Sequence, residues 1–316
     1  MRMKPIKVKF TDFWTEDVND IWIYSALKEH FNIELSDEPD VLIYSVFGEQ
    51  HLSYKCKKVF FTTENVLPDY RLCDYSIGFN YDAENKRHLR YPLYLFYDDI
   101  NALVRKERVT EETIADKSEF CVFVVSNPKA QERIQFFQKL DSAKHVDSAG
   151  RVLNNMPENW NIPVGTKYLF LSKYRFNITF ENSAAPGYTT EKIYEPMHCN
   201  TIPIYWGDPL VHLDFNPKSF IHVRDYKTYD DVVKYILEIE NNKDLYLQIL
   251  NEPYLHGNVV PEHLKKDRLF EFFERIFFKD DIQPVSQQAS FAYNKLLLKT
   301  THLQEKFLQK FKRMIK

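Results

Sequence analysis

The residues best able to do chemistry fall in three strand-to-helix turns. The longest is Phe180–Pro209, FENSAAPGYTTEKIYEPMHCNTIPIYWGDP. It reads as a strand end, a polar turn holding Pro186–Gly187, and a helix beginning at Thr189 or Thr190. A threonine immediately ahead of an apolar-periodic run is a good helix cap. Free N–H groups at a helix start, next to Lys192, make a ready anion site. The same pattern fits a capped surface helix with a solvated lysine. The second turn is Val125–Arg133, VSNPKAQER, with Ser126 and Asn127 at the handover from strand to helix. Arg133 is the candidate phosphate ligand, because a guanidinium binds phosphate in bidentate fashion; a lone helical arginine is equally a solvated face. The third is Phe60–Pro68, FFTTENVLP, where Glu64 follows an apolar strand. A carboxylate at the carboxyl end of a strand is well placed to act as a general base. Partial burial would raise its pKa toward neutrality and help that role. The plainer alternative is a capping or loop carboxylate.

What is missing narrows the chemistry further. The chain has no Asp-x-Asp, and its ten histidines form no HExxH or H-x-H. A metal is therefore not expected. A diphosphate, if bound, must be neutralised by side-chain cations and helix dipoles, with Arg133 and Lys192 the natural pair. The seven glycines lie at least 15 residues apart, which excludes the GxGxxG and GxxxxGK phosphate loops. Cys56, Cys73, Cys121 and Cys199 stand alone, outside any CxxC pair, and read as reduced cytosolic thiols.

These turns need a scaffold of alternating strands and helices. In the first third, strands are expected at Ile6–Phe13, Val41–Phe47, Lys58–Thr63 and Asp74–Phe79, with a helix at Ile21–His30. Residues 98–118 are polar and charge-rich and suggest a linker helix. The alternation then restarts, with strands at Phe120–Val125, Phe176–Phe180, Thr201–Trp206 and Phe220–Val223. Helices are expected at Pro128–Leu140, Thr190–His198 and Asp230–Ile239, and Leu264–Phe278 is amphipathic. Apolar strands between helices suggest parallel sheets covered on both faces, so the class is α/β. At 316 residues the chain has room for two such domains, and ligands of α/β sheets bind beyond the carboxyl ends of the strands.

Taken together, the windows closely resemble bacterial α-1,3-fucosyltransferases of glycosyltransferase family 10. VFFTTEN (59–65), DYSIGF (74–79), FVVSNPKAQER (123–133), KYRFNITFENSAAPGYTTEKIYEPMHCNTIPIYWGDP (173–209) and DFNPKSF (214–220) carry the likeness, over about residues 55–225. The resemblance implies GT-B architecture, with two Rossmann-like domains facing across a cleft and a C-terminal helical tail. Residues 1–117 would bind the acceptor, 118–289 would bind GDP-fucose, and 290–316 would be the tail. It implies inverting transfer from GDP-β-L-fucose to O3 of GlcNAc in a Gal-GlcNAc-type glycan, without a metal or other cofactor. Such an enzyme would decorate lipopolysaccharide or another surface glycan. The likeness matches Glu64 to the catalytic base, and Arg133 and Lys192 to the pyrophosphate binders. Asn182, Tyr188 and Glu191 match donor-site residues, with Ser126 and Asn127 in the same region. Glu191 near the sugar ring could stabilise an oxocarbenium-like centre. The alternatives are an α-1,4 or dual linkage and a non-catalytic nucleotide- or glycan-binding module. Two features depart from the pattern: no DDLRxNY-type heptads precede the tail, and the 98–118 linker is short.

Net charge is −3, yet residues 295–316 carry seven basic residues and one acid, leaving the rest at −9. An acidic body argues against nucleic acid as a partner. In the tail, Leu303, Phe307, Phe311 and Met314/Ile315 recur at helical spacing among lysines. That pattern fits a helix lying on an anionic membrane surface, and equally a helix packed back on the protein. With no apolar leader and no run of 18 apolar residues, the expected location is cytoplasmic, peripheral on the inner membrane face.

Overall fold

A computed structural model describes residues 4–82, 84–97, 99–157, 162–298 and 300. The expected membrane-contact helix at 301–316 lies outside the described residues. The chain divides into two compact units, one of residues 1–78, 82–91 and 266–316, the other of residues 79–81 and 92–265.

The first unit is built on a six-stranded parallel sheet. Its strands are β1 (Ile6–Thr11), β2 (Ile33–Leu35), β3 (Val41–Tyr44), β4 (Lys57–Phe61), β5 (Tyr75–Gly78) and β6 (His88–Arg90), with helix α1 (Trp22–His30) between the first two. The spatial order is β2-β1-β3-β4-β5-β6. Every residue of β3 and β5 is buried, as expected for central parallel strands covered on both faces. The observed strands stop short of the expected ends at Phe13, Phe47 and Thr63. Asp12 takes a left-handed φ of 60° immediately after β1 and turns the chain out of the sheet.

The second unit begins with a short helix, α2 (Tyr94–Tyr97). It continues through β7 (Glu119–Phe123), α3 (Gln131–Ala143), β8 (Asp147–Ser148), α4 (Lys167–Leu171), β9 (Tyr174–Phe180), α5 (Glu191–His198), β10 (Ile202–Trp206), β11 (Ile221–His222), α6 (Tyr229–Asn241) and α7 (Lys243–Asn251). Its parallel sheet runs β11-β10-β9-β7-β8. Phe123, Phe136, Phe176, Phe180, Ile204 and Ile236 pack between this sheet and its helices, and Phe136 stacks on Phe180 at 5.0 Å. In both sheets the second strand in sequence lies outside the first, and the third lies on the first strand's other side. This is the doubly wound order whose switch point, between first and third strands, opens a crevice at their carboxyl ends.

Two expectations are corrected. Among the described residues 99–118 there is no linker helix: Ile100–Leu103 is a 3-10 turn capped by Asp99. The Lys117 ammonium donates to the carbonyls of Ser172, Tyr174 and Cys199 and to the Thr201 hydroxyl, which straps the segment onto the second unit. Helix α3 starts at Gln131 rather than Pro128, because the Asn127 side chain accepts from the Lys129 N–H and holds a turn there. The expected domain limits at 117 and 289 differ from the compact units, since residues 92–117 join the second unit and the chain beyond 265 returns to the first. There, α8 (Asp267–Glu274) runs into a π-helical turn at Arg275–Lys279. It stacks Phe270 on His30 at 4.1 Å and sets Phe272 edge-on to Tyr75. Further on, the Val285 N–H donates to Asp74 at 2.7 Å.

Candidate active site

The switch point of the second sheet falls between β7 and β9, so the loops leaving these two strands define its crevice. The first loop holds Ser126 and Asn127, both exposed. The second holds Glu181 and Asn182. Arg133 joins them from the first turns of α3. The residue is 1% exposed, and one terminal guanidinium nitrogen donates to the Asn127 carbonyl and to Asn182 Oδ1, both at 2.9 Å. The Arg133 Nε is buried with no hydrogen-bond partner. Burial pushes the Arg133 pKa down, an effect countered by Glu181, and a guanidinium stays charged through such a shift. A fixed cation with an unused buried donor is well suited to an anionic oxygen.

The carboxylate end of β9 supplies the second half of the cluster. Glu181 is fully buried and accepts from the Thr190 N–H at 2.8 Å and the Thr190 hydroxyl at 2.8 Å. Thr190 also caps α5 by accepting from the Lys192 N–H. The Lys192 ammonium lies 2.9 Å from Thr190 Oγ1, 3.2 Å from Glu181 and 3.4 Å from Glu191. Burial alone would lower the Lys192 pKa, but Glu181 and Glu191 outweigh it and hold the ammonium above its ordinary range. Burial raises the Glu181 pKa, with Lys192 pulling the other way. Two cations and two acids thus share one crevice, so an incoming phosphate meets a positive charge already fixed in place by carboxylates.

The loop between β9 and α5 is held by Asp208, which is fully buried after β10. It accepts from the Gly187 N–H at 2.7 Å, the Thr189 hydroxyl at 2.9 Å and the Leu210 N–H at 2.8 Å. Gly187 has φ +85°, and a side chain there would meet the Phe79 carbonyl at 2.4 Å, so only glycine fits. Tyr188 is buried edge-on against Phe79 at 5.1 Å, where its ring fixes the loop.

The structure therefore brings Asn127, Arg133, Asn182, Glu191 and Lys192 into one neighbourhood, with Ser126 beside it and Tyr188 beneath the loop. Glu64 belongs to the first unit. It lies just past β4, where its N–H donates to Thr62 Oγ1 at 3.0 Å and its carbonyl accepts from that hydroxyl. It is exposed, the chain having already turned out of the sheet at Thr62. Sequence reading missed Glu181 and Asp208. The available signal was position, since each is an acid closely following an apolar strand. Among the described residues, no group of three or more His, Cys, Asp or Glu could hold a metal ion, and no helix is long and apolar enough to cross a membrane.

The crystal structure of an α1,3-fucosyltransferase with GDP-fucose superposes with a TM-score of 0.73 at 30% identity, covering 90% of this chain and 94% of that one. With two doubly wound parallel sheets, this defines a GT-B glycosyltransferase fold. The FucT N-terminal domain family matches residues 8–97, and the glycosyltransferase family 10 (fucosyltransferase) C-terminal family matches residues 114–251. The α-(1,3)-fucosyltransferase FucT of Helicobacter pylori is 34% identical, over 88% of this chain and 67% of that protein. A human 3-galactosyl-N-acetylglucosaminide 4-α-L-fucosyltransferase is 31% identical over 42% of this chain and 37% of its own length. The chain belongs to glycosyltransferase family 10, the fucosyltransferases, and is an enzyme of that class.

Proposed function

We propose that this enzyme transfers L-fucose from GDP-β-L-fucose to O3 of GlcNAc in Gal-GlcNAc-type glycans, with inversion and without a metal. The observation that carries the reading is the cluster of buried Arg133 and part-buried Lys192 at the switch point of the second sheet. It is supported by the likeness to an α1,3-fucosyltransferase solved with GDP-fucose. As the C–O bond to GDP breaks, charge builds on the diphosphate. Cations fixed beforehand stabilise that developing charge more than the ground state. Lys192 and Arg133 take this role, with Asn182, Asn127 and Ser126 orienting the donor. Glu191 offsets the positive charge of the oxocarbenium-like sugar. Glu64 removes the proton from the acceptor hydroxyl as the new bond forms. Its solvated loop leaves the carboxylate free to accept one.

Linkage analysis of the product by NMR tests the regiochemistry. Fucose on O3 of GlcNAc is expected, and a product on O4 would move the assignment to the second linkage, which the match to a human 4-α-L-fucosyltransferase favours. We further propose that residues 301–316 hold the enzyme on the inner face of the cytoplasmic membrane, near a lipid-linked surface-glycan acceptor. Deleting them should release the protein to the soluble fraction with kcat retained. A truncated enzyme that fractionates like the full chain would remove the anchor.

A further inference from the structure

The first unit has its own switch point, between β1 and β3, and a cavity of about 660 Å³ opens there. Phe13 and Phe47 line it. Trp14 stands at its rim, edge-on to Phe13 at 5.6 Å and to Phe47 at 6.3 Å. Trp14 is 51% exposed and Phe47 52%, so the corner offers two large ring surfaces to solvent. Its geometry is built. Asp12, buried and at φ 60°, accepts from the Gln50 and His51 N–H groups at 2.9 Å with its carboxylate, and from the Phe47 N–H at 2.9 Å with its carbonyl. One strained residue thus pins the loop after β3 to the loop after β1. Such strain gathers where a site is held in a fixed shape.

The charge of the lining selects the ligand class. Of the charged lining residues, Asp12 is held by the His51 imidazole at 2.6 Å and Lys9 by Asp37 at 2.5 Å, with Glu16 the remaining charge, so the lining offers phosphates and nucleotides no spare cation. A neutral ligand with apolar faces and many hydroxyls fits: a pyranose stacks its C–H face on an aromatic ring while acids and amides accept its hydroxyls. Position selects which sugar. Phe13 stacks on Phe61 at 5.7 Å, and Phe61 ends β4, three residues before Glu64. β1 itself lies two strands from β4, about 10 Å at ordinary strand spacing. The corner is therefore offset from the reacting hydroxyl.

We infer that the Trp14–Phe47 corner is a glycan subsite that stacks a sugar adjoining the one fucosylated, and so sets preference for an oligosaccharide over the bare monosaccharide. The inference rests on the proposed glycan acceptor. The test compares full-length wild type, Trp14→Ala, Phe47→Ala and Trp14→Phe, with N-acetyllactosamine and with free GlcNAc. Both alanine variants should raise KM for N-acetyllactosamine about tenfold, the loss of one packed aromatic contact. kcat, GDP affinity and KM for GlcNAc should change less than twofold, and Trp14→Phe should keep most of the preference. N-acetyllactosamine should also alter tryptophan fluorescence in wild type but not in Trp14→Phe. An unchanged KM for N-acetyllactosamine in both alanine variants of an active enzyme would overturn the subsite and leave the proposed reaction standing. Trp14-dependent binding without any turnover would support the subsite and overturn the reaction. Neither binding nor turnover would overturn both.

Discussion

The two units share one topology and furnish its switch point with different side chains. In each sheet the switch point lies between the first and third strands. In the second unit that crevice holds Arg133, fixed by Asn127 and Asn182, and Lys192, braced by Glu181 and Glu191. In the first it holds exposed aromatic rings and an excess of acids. The fold fixes where a ligand can sit, and the loop residues decide which ligand it is. Two lysines make the same contrast. Lys192 sits between two carboxylates and is held in its charged form. Lys58, fully buried in β4, has no hydrogen-bond partner for its ammonium and lies over the Phe291 ring at 4.2 Å. Burial pushes its pKa down to about 8, with Asp74 and Cys56 offsetting only part. One lysine is paired with acids in a crevice, the other packed against a ring.

That contrast can be broken at several points. The largest effect is expected from Glu64→Gln, which should lower kcat by about 10²–10⁴ while GDP binds as before. Weaker GDP binding in this variant would put Glu64 on the donor side. Next comes Lys192→Ala. Charge-assisted bonds are worth about 1.5–3 kcal/mol, so GDP affinity should fall about 10–150-fold, read by calorimetry. Undiminished affinity would remove Lys192 from the donor site. The smallest effect concerns Lys58. Its pKa is lower folded than unfolded, so between about 8 and the ordinary 10.5 the unfolded chain binds more protons and stability rises with pH. Lys58→Met should flatten that slope and stabilise the protein at pH 7 by roughly 1–3 kcal/mol, the cost of an unsatisfied buried group. A destabilised variant with the slope intact would show that the ammonium is well compensated.

Much of this was legible from sequence where the signal was local. Apolar runs such as VLIY and IPIYW announced buried parallel strands. The TTEK turn announced a capped helix with a lysine at its start. Arg133 and Asn182, 49 residues apart, were each nameable, but their shared hydrogen bond comes from the strand order, which periodicity does not encode. Glu181 looked like one acid among many, because burial depends on Gly207 lying close: a side chain there would meet Glu181 at 2.5 Å. The return of α8 to the first unit was equally hidden, since its aromatic face fits any apolar partner. The charged 98–118 segment read as a helix because the tertiary bonds of Lys117 leave no local pattern.

The most direct test of the central claim is GDP release from GDP-fucose, with and without N-acetyllactosamine, in EDTA, for wild type and Glu64→Ala. The account predicts release that depends on the acceptor, survives EDTA and collapses in the variant. Release abolished by EDTA, or equal in the two proteins, would contradict it.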